Sequence, residues 1–160
     1  NFWIFRPSLI IGPGDGFTEN IKELLRLGPV VPVPGSGNAR FQPLSIDDWV
    51  RAFMKILKDT SACNEIYEFG GPGHLTYNEI LQIIMKEMGI KKPLVHIPVG
   101  LVKAGIPLTY LFRKLGMKIP PVSAEQLNLL QRDNITDIDS MERLFGFKPE
   151  PFEKAIKKAV

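Results

Sequence analysis

The apolar run at the start of the chain most constrains the fold. Residues Phe2 to Ile11 are apolar apart from Arg6 and Ser8, and the run stops at the breaker Gly12-Pro13-Gly14. A run of this length bounded by turn residues is typical of a buried strand. Folded domains usually begin with a few polar residues that fray. We therefore expect a fragment that lacks the N-terminal half of a larger protein.

The remaining chain alternates predicted helices and strands. Helix starts are indicated by N-cap residues and capping boxes, and strands by short apolar runs between breakers. This alternation predicts an α/β fold, and 160 residues suit a single domain, residues 1–160. The predicted helices are Thr18 to Leu27, Ser45 to Lys58, Thr76 to Gly89, Asp139 to Phe145 and Phe152 to Val160, and a further helix starts at Ser123. The predicted strands that follow the first one are Asn64 to Gly70 and Leu94 to Ile97.

The second of these helices has a broad apolar face. Acidic Asp47 and Asp48 stand in its first turn, where the helix dipole favours them. Five apolar side chains recur with helical spacing and are expected to face the core. They are Trp49, Val50, Phe53, Met54 and Leu57.

Composition excludes several classes of protein. Twenty basic and seventeen acidic residues leave a net charge of only +3, which falls short of the basic stripe of a nucleic-acid binder. One cysteine, Cys63, and two histidines, His74 and His96, cannot form an intramolecular disulfide or a metal site. A reducing, cytoplasmic location is the corresponding expectation.

The segment Lys86 to Lys118 holds seven basic residues and a single acidic one, Glu87. Within it, Leu94 to Phe112 is apolar, but prolines and charges make a buried strand and a core helix a better prediction than a membrane span. The basic flanks still permit peripheral contact with anionic lipid or with a phosphate.

No residue is indicated as catalytic. The loop Gly12 to Phe17 has neither dinucleotide nor Walker spacing, so a simple turn is the better interpretation. His74 lies in a turn, and His96 is expected to be a satisfied core histidine. Arg40 lies in a loop rich in glycine and proline, where it could pair with a ligand phosphate or simply be solvated.

Four motifs follow one another along the chain: Arg6 to Asp15, Phe41 to Asp48, Ile66 to Gly71 and Leu144 to Pro149. In this order they resemble the C-terminal half of the extended and atypical short-chain dehydrogenase/reductase superfamily. The likeness is greatest to the NAD-dependent epimerase/dehydratase type, especially the branch related to the 39 kDa subunit of respiratory complex I. The resemblance implies the C-terminal portion of a Rossmann-like NAD(P)-binding fold: the last parallel strands, Trp3 to Ile11 and Glu65 to Gly70, and a mixed α/β substrate-binding lobe.

The resemblance also implies roles for individual residues. Pro7 and Ser8 would lie on the cofactor side, by the nicotinamide ribose. Arg40 would grip the diphosphate of a nucleotide-sugar, with Gln42 helping to orient the anion and Arg132 as a second phosphate-binding candidate. The parent protein would use NAD or NADP.

The glycine-rich nucleotide loop and the Tyr-x-x-x-Lys pair of such enzymes are not found at their expected places. Tyr110 and Lys114 have the spacing but lie in the late hydrophobic segment rather than before the strand with Arg6-Pro7-Ser8, so we interpret the spacing as chance. The chain should therefore bind substrate without being active alone, and whether the parent is an enzyme stays open. The alternative is a non-catalytic assembly or membrane-associated factor, and homodimerisation is compatible with either.

Overall fold

The computed structural model describes residues 2–58, 64–114 and 123–160, without the side chains of 108–113. It confirms the predicted mixture of helices and strands. The strands are β1 (Trp3–Pro7), β2 (Ile10–Ile11), β3 (Val31–Pro34), β4 (Arg40–Phe41), β5 (Leu44–Ser45), β6 (Glu65–Phe69), β7 (Leu75–Thr76) and β8 (Leu94–Ile97). The helices are α1 (Gly16–Arg26), α2 (Ile46–Lys58), α3 (Tyr77–Glu87), α4 (Val99–Lys114), α5 (Ala124–Leu129), α6 (Ser140–Phe145) and α7 (Phe152–Lys157).

The chain divides into two compact units, each assembled from separated segments. Unit 1 consists of Asn1–Asp15, Phe41–Leu75 and Asn134–Ala159. Unit 2 consists of Gly16–Arg40, Thr76–Asp133 and Val160.

Unit 1 contains a parallel pair of strands, β1 and β6, in register from Trp3 opposite Glu65 to Pro7 opposite Phe69. Because side chains alternate between the faces of a strand, the Phe5 and Tyr67 rings share one face and stack with centroids 5.8 Å apart. The facing pair Ile4 and Ile66 lies on the opposite face and stays 39% and 48% exposed.

The prediction of one buried strand from Phe2 to Ile11 is therefore wrong in two respects. The extended run is interrupted at Ser8 and resumes as β2, which pairs in parallel with β5. The β1 segment is also largely exposed: Trp3, Ile4 and Arg6 are exposed, and Phe5 and Pro7 are half-buried.

The core of unit 1 joins α2, α6 and β6 through seven buried apolar residues. From α2, the core takes Ala52 and Ile56, and Trp49 and Phe53 stack with centroids 5.3 Å apart beside it. The prediction that the whole apolar face of α2 is buried is wrong. The apolar face spans too much of the helix circumference to be covered by one neighbouring surface. Val50, Met54 and Leu57 on one side of it are 45–47% exposed.

Two helix ends in unit 1 also differ from the prediction. Asp139 stands at the N-cap position of α6 but makes no capping hydrogen bond with its side chain. Helix α7 ends at Lys157 rather than Val160, because the amides of Lys158 and Ala159 turn to carbonyls only three residues back.

Unit 2 contains a second parallel pair, β3 with β8, in register from Val31 opposite Leu94 to Pro34 opposite Ile97. Both predicted capping boxes are confirmed, at Thr76 before α3 and at Ser123 before α5. Helix α1 begins at Gly16, so Thr18 is buried inside the helix rather than at its N-cap.

The C-terminal end of α1 receives a cation from a distant part of unit 2. Lys92 Nζ donates to the carbonyls of Leu25 at 2.6 Å and Gly28 at 2.7 Å. A cation at this position complements the negative end of the helix dipole.

Two expectations for the apolar segment of unit 2 are wrong. His96 is exposed rather than a core residue, because β8 pairs only with β3 among the described residues and so forms an edge. The Nε2 atom of His96 lies 3.2 Å from Asn78 Oδ1. Leu101 at the start of α4 is 66% exposed, so that turn is no core helix. Over the described ranges, no helix is long and apolar enough to cross a membrane.

Candidate functional site

The carboxyl ends of β1 and β6 meet in unit 1. Ser8 directly follows β1 and donates its backbone amide to the carbonyl of Phe69, the last residue of β6, at 3.0 Å. Gly70 and Gly71 continue the chain from there. Ligands of parallel α/β sheets bind beyond the carboxyl ends of the strands, so this is the first part of the candidate site.

Gln42 organises this end of unit 1 from the interior. Its side chain is fully buried, and Nε2 donates to the carbonyls of Gly71 at 2.8 Å and Asp137 at 3.3 Å. Its Oε1 accepts from the amide of Thr136 at 2.8 Å. Because the amide group is engaged within the chain, the geometry favours a positioning role for Gln42 over direct ligand contact.

The Ser8 hydroxyl belongs to the same network. It donates to the carbonyl of Asn134 at 2.7 Å and accepts from the backbone amide of Gln42 at 3.2 Å. A hydroxyl oxygen has two lone pairs, so Ser8 retains capacity to accept one further hydrogen bond. The half-buried Pro7 precedes it and has no amide donor of its own.

The two glycines after β6 are required by close packing. A Cβ on Gly71 would collide with the carbonyl oxygen of Pro43, and a Cβ on Gly70 would lie 2.6 Å from the Gln42 side chain. Glycine therefore lets the strand end and the Gln42 segment approach each other directly.

Arg40 lies in unit 2 and donates three hydrogen bonds to the carboxylate of Asp133. Its backbone amide donates to Asp133 Oδ1 at 2.8 Å, and Nε and Nη2 donate to Oδ2 at 2.9 and 2.7 Å. Both side chains are about half exposed, at 50% and 42%. Arg132, the second predicted phosphate ligand, is exposed and directly precedes Asp133.

Asp133 was not indicated by the sequence. Ninety-three positions separate it from Arg40, and no local spacing signal reaches that far. The structure thus brings Arg40 beside the Arg132 segment within unit 2, and Ser8 beside Gln42 within unit 1.

Two further polar side chains, His74 and Tyr77, have defined surroundings in the described part of the chain. His74 Nε2 lies 2.9 Å from the carbonyl of Thr136, 62 positions further along the chain. Burial raises the pKa of the Tyr77 phenol to about 12, so it stays neutral and is a poor general base near pH 7. Among the residues that the structure describes, no cluster could hold a metal ion.

The glycine-rich segment before α1 is a turn, as predicted. Asp15 Oδ2 accepts from the amide of Gly12 at 3.1 Å, and the Asp15 amide donates back to the Gly12 carbonyl at 3.1 Å. Cys63 and the side chain of Tyr110 lie outside the described residues.

Comparison with known proteins places the fold. No protein-family model matches the chain. The UDP-glucose 4-epimerase of Thermotoga maritima superposes on 98% of the chain and 44% of its own, with a TM-score of 0.64 and 20% identity. The UDP-glucuronic acid 4-epimerase of Bacillus cereus superposes on 98% of the chain and 43% of its own, with a TM-score of 0.63 and 17% identity.

The chain thus has the α/β fold of NAD-dependent epimerases and dehydratases, and the predicted Rossmann-like class is confirmed. Its sequence is similar to a subunit of respiratory complex I. NADH dehydrogenase [ubiquinone] 1 alpha subcomplex subunit 9 of Arabidopsis thaliana is 26% identical over 144 residues, which cover 87% of this chain and 36% of that protein. The chain spans less than half the length of each of these three proteins.

Proposed function

We propose that this chain is the substrate-binding C-terminal region of an NAD(P)-dependent protein of the nucleoside-diphosphate-sugar epimerase, dehydratase or reductase type. The chain is not catalytic alone. The observation that carries the proposal is that the carboxyl ends of β1 and β6 meet, with the Ser8 amide bonded to the Phe69 carbonyl, in a chain that superposes almost completely on two epimerases.

The incomplete sheet of unit 1 supports a larger parent. All-parallel sheets are normally covered on both faces, and two strands alone are marginally stable. Here Ile4 and Ile66 expose the outer face of the β1–β6 pair. In the parent, further parallel strands would extend the edge of this pair and a helix would cover its outer face, together supplying a dinucleotide-binding half.

The residues at the strand ends fit one wall of a cofactor site. Ser8 can accept one more hydrogen bond, and Pro7 presents an apolar ring. The buried Gly70 and Gly71 let the end of β6 pack directly against Gln42 and Pro43 behind them. The turn at Gly12–Asp15 is closed by its own side chain, so we assign no pyrophosphate contact to it. NAD(P), when bound in the parent, would take and return a hydride.

Arg40 supports an anionic ligand. A guanidinium can donate hydrogen bonds to carboxylates and to phosphates. Arg40 already binds one carboxylate oxygen, Asp133 Oδ2, through Nε and Nη2. The exposed Arg132 adds positive charge one residue from Asp133. A nucleotide-sugar diphosphate fits this chemistry. Gln42 positions the backbone of Gly71 and Thr136 within unit 1.

Calorimetric titration of the natural polypeptide that contains this chain tests the proposal. We expect NADH and UDP-glucose to bind, and Arg40→Ala to weaken UDP-glucose while NADH affinity is kept. Arg143→Ala is the matched control, because Arg143 is also an exposed arginine paired with an aspartate, Asp137, at 3.0 Å. Equal UDP-glucose affinity in wild type, Arg40→Ala and Arg143→Ala would refute the assignment of Arg40.

A second candidate is a non-catalytic assembly factor of the complex I 39 kDa type. The similarity to the Arabidopsis subunit favours it. The exposed stripe Val50, Met54 and Leu57 on α2 is compatible with docking to a partner. If the natural polypeptide does not bind NADH or UDP-glucose in the titration but migrates within a large complex on native gels, this candidate is selected over the first.

Peripheral membrane contact and a cytoplasmic location stay predictions. For the first, exposed Lys86 and Lys91 are the described cations to test, by sedimentation with anionic and neutral liposomes at two salt concentrations. Binding that is no stronger to anionic than to neutral liposomes would argue against membrane contact.

A further inference from the structure

We propose that Asp133 is a positioning residue that holds Arg40 ready for the phosphates of a nucleoside diphosphate. The inference rests on the proposed function and adds to it a residue that the sequence did not indicate. It depends on which edge of the guanidinium Asp133 occupies.

A guanidinium carries five N–H donors on a planar fork. Asp133 Oδ2 accepts hydrogen bonds from Nε–H and from one N–H of Nη2 of Arg40. These two donors form the side edge of the fork. Nη1 has no hydrogen-bond partner among the described residues, so Nη1 and the second hydrogen of Nη2 form an end edge with donors to spare. This edge can donate two parallel hydrogen bonds to one phosphate.

Asp133 also fixes the backbone beneath the guanidinium. Its Oδ1 accepts the Arg40 amide at 2.8 Å, so one carboxylate holds both the main chain and the side chain of the same residue. An exposed arginine otherwise loses much side-chain entropy on binding a ligand. Holding Arg40 before the ligand arrives lowers that cost.

The nearby charges leave the pair able to attract an anion. Arg40 and Asp133 cancel, and the adjacent Arg132 leaves the segment with a net positive charge. Asp133 therefore contributes orientation, and the arginines supply the attraction.

Titration of the natural polypeptide with UDP-glucose and with inorganic pyrophosphate tests this role. Asp133→Asn keeps an oxygen acceptor but replaces the second one with an amide donor, and we expect affinity for both probes to fall roughly tenfold. Asp47→Asn is the matched control. It makes the same change of charge at another exposed ion pair, with Lys158 at 2.8 Å, and should leave affinity unchanged.

A double-mutant cycle separates positioning from a purely structural role. In an Arg40→Ala background, Asp133→Asn should cause no further loss of affinity, because nothing remains to be positioned. A general structural defect would lower affinity again in that background. Asp133→Glu retains the carboxylate and provides a second variant if Asp133→Asn does not fold; it should bind more weakly than wild type.

The outcomes distinguish this inference from the proposed function. Unchanged or tighter binding by both Asp133 variants, with weak binding by Arg40→Ala, overturns the positioning role and leaves the proposed function standing. If wild type binds NADH but neither phosphate probe, the anionic ligand of the proposed function fails, and the role of Asp133 fails with it.

Discussion

Gln42 and Gly71 are joined by two hydrogen bonds that run in opposite directions. The Gln42 side chain donates to the Gly71 carbonyl at 2.8 Å, and the Gly71 amide donates to the Gln42 carbonyl at 3.1 Å. The contact lies at the carboxyl end of the parallel pair in unit 1. It ties the stability of the chain to the geometry of the candidate site.

Gln42→Leu should destabilise the chain by about 3 kcal/mol, because the Thr136 amide and the Gly71 carbonyl would lose buried partners. Urea unfolding followed by circular dichroism measures the change. Gln131→Leu is the control: Gln131 is exposed and donates a single hydrogen bond to the Pro34 carbonyl. A loss for Gln42→Leu no larger than for Gln131→Leu would contradict the assigned network.

Acid should destabilise the chain partly through Glu150. The hydrogen bond from Lys158 lowers the pKa of the Glu150 carboxyl below its usual 4.5, so the unfolded chain binds more protons as pH falls. The resulting stability is present above pH 4.5 and is lost below it. The difference in urea midpoint between wild type and Lys158→Met should therefore shrink from pH 6 to pH 3; a constant difference would exclude this linkage.

Alkali should destabilise the chain through Tyr77. Burial raises the pKa of its phenol from 10.0 to about 12, so the unfolded chain releases this proton first. The stability is full below pH 10 and declines as pH rises toward 12. Absorbance at 295 nm should show one tyrosine ionising near pH 12, and Tyr77→Phe should remove that step. Retention of the step in Tyr77→Phe would assign it elsewhere.

The isolated 160-residue chain should self-associate through the outer face of the β1–β6 pair. Replacing Ile4 and Ile66 together by threonine keeps β-branched side chains but reduces the exposed apolar surface, so light scattering should detect fewer oligomers. The double valine variant preserves the apolar surface and serves as the control. A monomeric wild-type chain would contradict the prediction.

Local signals predicted many elements of the fold. The capping boxes at Thr76 and Ser123 act within three residues, and both helices begin where the boxes indicate. The strand at Leu94 to Ile97 matches its predicted bounds, and β6 differs by a residue at each end. The likeness to epimerases and dehydratases was also readable from four short motifs.

The candidate site was predicted less completely. Sequence indicated Ser8, Arg40 and Gln42 but not that Ser8 and Gln42 share one hydrogen-bonded network or that Asp133 holds Arg40. The burial of α2 was also mistaken, because its periodic pattern does not specify which half of a broad apolar face another element will cover.

The sequence by itself determined the starts of α3 and α5 and the bounds of β8, since capping and turn formation depend on neighbours a few residues apart. Only the tertiary structure decided that Gln42 is buried, that Ile4 and Ile66 are exposed and that Arg40 is paired. Thr136 and Asp133 lie 94 and 93 positions from the residues they contact. Such partners are chosen by how the chain packs, because packing brings together side chains that no local pattern relates.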